Sequence, residues 1–181
     1  MTKLRLILVL VAAFLAVFWE AAFPSRWLWT QIDLLPALMV YASLSLNLPG
    51  LVALAVCGGL FFDSLSANPL GVSVLPLFII GFLIFVRREL ILRDQPYAQF
   101  FLGLAGSAVA PLLTVLLLLT TGHQLLLGWG SLWQWLVMSL GGAVATPIIF
   151  FVFDWCERVF GPTRVTETSF RPDREIRRGR N

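Results

Sequence analysis

The longest stretch of this chain without an apolar run is its tail, residues 163–181. A water-soluble domain needs roughly fifty residues or more. Everything before the tail is a series of apolar runs separated by short polar breaks. Charged residues make up 13% of the chain and hydrophobic residues 59%, whereas a soluble domain carries about 25% charged residues. That is too little charge to cover a surface facing water, and the mean hydropathy of +0.87 agrees. Lipid is the expected solvent. The expected fold class is all-α: a polytopic membrane protein with about six transmembrane helices of uneven length.

A spanning helix needs about twenty apolar residues. Runs at 4–18, 32–48, 50–62, 70–86, 100–119 and 132–153 supply six candidates. The third is marginal, since its length at 1.5 Å per residue gives only about 20 Å, unless it extends through Leu65 or is shielded by protein. Merging the second and third into one tilted helix is the alternative, and charge placement argues against it. Arg87, Arg88 and Arg93 lie two spans before the arginine-rich tail, so these groups share a side. Lys3 and Arg5 join them only if an even number of spans precedes Arg87. Six spans then place every lysine and arginine except Arg26 on one side, which the positive-inside rule makes cytoplasmic. Both termini are expected there. The first run is expected to be an uncleaved span, because residues 18–23 lack a small-x-small cleavage site.

The breakers and aromatic residues fit this layout. Asn47-Leu48-Pro49-Gly50 reads as the turn between the second and third spans. Pro24, Pro49, Pro69 and Pro96 fall between spans, while Pro36, Pro76, Pro111 and Pro147 fall inside them and are expected to kink four helices. Trp19, Trp27 and Trp29 mark one interface; Trp129, Trp133 and Trp135 mark it again, and Trp155 the other. Small residues recur four apart: Gly103 with Ser107, Ala55 with Gly59, Gly141 with Ala145, Gly142 with Thr146. Such faces let helix backbones approach closely, within the bundle or against another protein's helix. Cys57 and Cys156 read as small packing residues at different depths, too far apart for a disulfide. Residues 1–160 thus form a six-helix transmembrane domain, and 161–181 a basic cytoplasmic tail. The tail is expected to be disordered and drawn to anionic lipid.

Chemistry is sparse. The acids avoid mid-span positions: Glu20, Asp33 and Asp63 map near the outer boundary, and Glu89, Asp94, Asp154 and Glu157 near the inner one. A proton relay would need ionisable groups at depth. The single histidine, His123, falls in a loop, so Ser107 has no histidine partner for nucleophilic catalysis. No zinc-ligand set and no phosphate-cradling glycine loop is present. The expectation is a non-enzyme without metal, cofactor or nucleic acid. Asp33 and Asp63 remain. A hairpin turning at residues 47–50 returns both to one face. Asp63 is expected either to accept N–H bonds from residues 64–66, to cap a nearby helix, or to present its charge to a partner.

In order, the chain reads Asp33-Leu34-Leu35, then Gly58-Gly59-Leu60-Phe61-Phe62-Asp63, then Asn68-Pro69-Leu70-Gly71, then Arg87-Arg88. This set resembles the rod shape-determining protein MreD family, over residues 32–93. Gln31-Ile32 replaces the basic-proline pair often seen before the first aspartate, and the arginine tail is longer than usual. The resemblance implies a scaffold of the bacterial inner membrane. Its partner would be an MreC-like bitopic protein, and through it the MreB filament and peptidoglycan synthases. Asp33, Asp63, Asn68, Pro69 and Gly71 are then partner-binding or structural candidates. The family also looks like the substrate-binding subunits of vitamin transporters, with six uneven helices. The alternative expectation is therefore a ligand pocket near Asp33, Asp63, Asn68, His123 and Gln124.

Overall fold

A computed structural model describes residues 2–22, 33–66, 68–90, 95–122 and 128–160. Among these the chain is helical, with six α-helices: α1 (Thr2–Ala22), α2 (Leu35–Ser45), α3 (Leu48–Leu65), α4 (Val74–Arg87), α5 (Pro96–Thr120) and α6 (Trp129–Phe160). A short 3-10 turn, Arg88–Leu90, follows α4. Four of the helices (α1, α3, α5 and α6) are long and apolar enough to cross a membrane, while α2 and α4 are shorter. The protein is an all-α polytopic membrane protein.

The shortest helix is the centre of the bundle. α2 has 11 residues, about 16 Å of rise, and residues 35–43 are all buried. It touches each of the other five α-helices. A helix apolar on every side belongs inside a protein. Its length carries no lipid mismatch, because its neighbours and not lipid surround it. Three of those neighbours offer it a glycine: Leu35 meets Gly58 of α3, Met39 meets Gly81 of α4, and Val40 meets Gly106 of α5. On α6, Tyr41 stacks on Phe153 with ring centroids 4.4 Å apart and meets the edge of Phe150 at 5.0 Å. Leu35, Leu38, Met39, Val40, Tyr41 and Ala42 of this helix share one buried core with Val9, Leu51, Leu54 and Leu77 of its neighbours.

Local chemistry corrects several expected boundaries. The break between α2 and α3 is Leu46 and Asn47, not residues 47–50, and Pro49 sits in the first turn of α3. Proline costs nothing there, because the first N–H groups of a helix have no partner within it. α3 therefore starts two residues earlier and runs on to Leu65, reaching 18 residues. It is not marginal. Pro36 and Pro96 likewise stand in first turns, and Pro76 is the third residue of α4. Only Pro111 and Pro147 are interior prolines of long helices, so the expectation of four kinked spans does not hold. Cys57 is exposed and Cys156 half-buried, and both are free; Cys57 is not the packing residue expected.

The helices alternate in direction, which brings the arginines together. Leu6 of α1 lies against Gly50 at the start of α3, and Phe14 meets Phe61 further along at 5.2 Å, so α1 and α3 run parallel. Gly81 of α4 meets Leu51, placing Arg87 near the start of α3. Arg5, Arg87 and Arg88 therefore share one end, the basic end. α2 and α3 are separate antiparallel helices, as the charge placement required.

The small-residue faces of α5 and α6 are used internally. A Cβ added at Gly142 would collide with Ser107, and one at Gly103 with Thr146. The Thr146 hydroxyl turns back onto the Gly142 carbonyl at 2.8 Å. Pro111 cannot donate a backbone hydrogen bond, which loosens the carbonyls one turn before it. One of these, Ala108 O, accepts a 2.9 Å bond from Trp135 Nε1. Trp135 is thus a tie between helices and not solely an interface anchor, whereas Trp129 and Trp133 remain exposed.

Candidate functional site: the aspartate end

Opposite the basic end, two aspartates start the two short helices. A helix that begins at the surface has water for its first N–H groups. One that begins among protein side chains must find acceptors there. α2 and α4 are in the second situation.

Asp33 stands two residues before α2. Its Oδ1 accepts the Leu35 N–H at 2.9 Å. Pro36 has no N–H to satisfy, and the Leu38 N–H reaches Leu34 O at 3.0 Å. The Asp-Leu-Leu-Pro sequence thus supplies acceptors for the Leu35 and Leu38 N–H groups and removes the donor at position 36. Asp33 is part-buried, and Glu20, near the end of α1, lies close to it. Its Oε1 is buried without a hydrogen-bond partner.

Asp63 lies in the last turn of α3 and is 2% exposed. Its Oδ2 accepts the N–H groups of Gly71 at 2.8 Å and Ser73 at 3.1 Å, and its Oδ1 accepts the Ser73 hydroxyl at 2.5 Å. Ser73 is the residue that precedes α4. One carboxylate therefore ties the end of α3 to the start of α4. The expected bonds to residues 64–66 are not what it makes: the donors come from across the loop. Nor does it cap α4 itself: its donors belong to Gly71 and Ser73, which precede the helix, and it fixes the approach to α4 and not the first turn.

The turn is shaped to deliver those donors. Val72 N–H reaches Pro69 O at 3.3 Å, and Gly71 has φ +92°. A left-handed third position in such a turn favours glycine. Asn68 N–H reaches Ser66 Oγ at 3.3 Å, and Ser66 Oγ reaches back to Asp63 O at 3.4 Å. Close packing holds the same corner: a Cβ at Gly59 would lie 2.8 Å from Val74 Cα.

The sequence candidates Asp63, Asn68, Pro69 and Gly71 therefore form one unit. Asn68 is half-buried, and Pro69 and Leu70 are exposed at the rim. Asp33 sits at the same end, since its neighbour Leu35 packs on Gly58 of α3, but it serves a different helix. His123, Gln124, Arg26, Trp27 and Trp29 lie outside the described residues, as does the 161–181 tail. Ser73 was missed by sequence reasoning. The signal for it was a serine one residue before an apolar run, a common N-cap pattern. One groove of about 170 Å³ lies between α1 and α3, lined by Leu10, Ala13, Phe14, Cys57, Gly58 and Phe61. It is apolar. No group of three or more metal-ligating side chains occurs among the described residues. The chain matches no family model, no curated protein and no solved structure.

Proposed function

We propose that this protein is a non-enzymatic scaffold of the bacterial cell-elongation machinery, resembling the MreD family. In this reading it sits in the inner membrane with both termini cytoplasmic. It binds an MreC-like single-span protein, and through it acts with the MreB filament and lateral-wall peptidoglycan synthases. One observation carries the reading beyond a string of residues. Asp63 and Gly71, eight positions apart in the resembling motif, meet at 2.8 Å and tie the end of α3 to the turn before α4. Pro69 and Leu70 are exposed beside that tie, where a docking partner could reach them.

The test is to solubilise the protein mildly from its host and identify what accompanies it. A stoichiometric single-span protein with a periplasmic domain supports the scaffold, as does loss of rod shape on depletion. Unchanged rod shape together with no such partner overturns it. The alternative is a substrate-binding subunit of a vitamin-type transporter, and the uneven helix lengths favour it. Leu35 is level with Gly58 while α3 continues to Leu65, so α2 begins below the ends of its neighbours. A vitamin-sized molecule copurifying in equal amount selects that reading instead.

A further inference from the structure

The bundle does not present the same apolar height to lipid on all sides. α4 contacts α2, α3 and α5, and its remaining face carries Leu75, Phe82, Leu83 and Val86, each at least 40% exposed. These positions fall on one side of a helix. Yet α4 has 14 residues, about 21 Å of rise, against a hydrocarbon core of about 30 Å. The opposite rim is different. Trp133, Leu136, Leu140, Val144, Ile148, Phe151 and Trp155 form an exposed apolar stripe on α6, about 33 Å from first to last.

Both ends of α4 are chemically pinned, so the short face cannot be lengthened by sliding. At its start, the Asp63 carboxylate holds Gly71 and Ser73. The backbone there is an irregular turn, and exposed irregular backbone does not sit in hydrocarbon. At its end stand Arg87 and Arg88. The Arg88 guanidinium lies back over the Phe85 ring, 4.4 Å from its centroid, so a cation sits level with Phe85 and not beyond the helix. Tilting α4 would only reduce its vertical reach.

We infer that the α4 face is an interaction surface for a locally thinned bilayer. Its belt is about 20 Å tall, where phospholipid chains are compressed or shorter chains collect. The protein is then a wedge in the membrane plane, thin along α4 and of full thickness along α6. This property is independent of the scaffold reading, because it follows from helix length and end chemistry alone.

The test uses the full chain with Cys57→Ala and Cys156→Ala, labelled at Leu70→Cys or Glu89→Cys with an environment-sensitive fluorophore. The protein is placed in dioleoylphosphatidylcholine vesicles that carry nitroxide quenchers either at the headgroup or deep in the chain. A thinned belt places both labels at headgroup depth at once, with at least twofold stronger quenching by the shallow nitroxide at each. Stronger quenching by the deep nitroxide at either label overturns the inference: α4 is then submerged, or its face is normally covered by another protein's helix.

Discussion

Asp63 accepts three hydrogen bonds from donors that fold away from water, so its loss leaves those donors without partners. Asp63→Ala is expected to cost about 2–4 kcal/mol, from charge-assisted bonds lost and buried N–H groups orphaned. Asp63→Asn should cost less, because its amide oxygen still accepts. Unfolding in detergent, followed by circular dichroism, measures both. The aspartates were legible in the sequence as boundary acids, but their donors were not. The Ser73 and Gly71 contacts span a loop, and sequence spacing carries no record of how a loop folds back.

Pairs of helices show why small residues recur where they do. Ser107 packs into the space that Gly142 leaves empty, and its Oγ is buried without a partner. Gly142→Ala is expected to cost about 1–3 kcal/mol by overpacking. Ser107→Gly alone should cost about 1 kcal/mol, the usual penalty of helical glycine. The double variant should recover most of the Gly142→Ala loss, and a double-mutant cycle measures that coupling. Additive effects would mean that the two residues do not touch. The four-residue spacing was visible in the sequence, yet it suits an internal contact as well as an external one. Only the pairing of α5 with α6 decides between them. Helix ends were read less well than helix cores. Pro36, Pro49 and Pro96 look like breaks or kinks to a hydropathy scan but occupy first turns, where proline is at home.

At the scale of the molecule, separate α2 and α3 require Asn47 to lie at the basic end and Gly122 at the opposite one. Single cysteines at these positions, in a chain lacking the native two, should react with a membrane-impermeant maleimide from opposite sides of sealed vesicles. A merged α2–α3 helix would bury position 47 and leave it unlabelled. The membrane class, the number of helices and the clustering of arginine at one end all follow from the sequence. Hydropathy and charge act on each segment separately, through transfer between water and lipid, so they can be summed along a chain. The sequence also carried the acids that flank the spans. It did not say that the shortest helix, α2, is the hub, nor that Asp63 holds the turn leading into the next helix. Nor did it say that one rim of the bundle is about two-thirds as tall as the opposite one. Those are consequences of which helices pack together. Packing depends on the fit of Leu35, Met39 and Val40 onto glycines far away in the chain, a three-dimensional complementarity that no local pattern encodes.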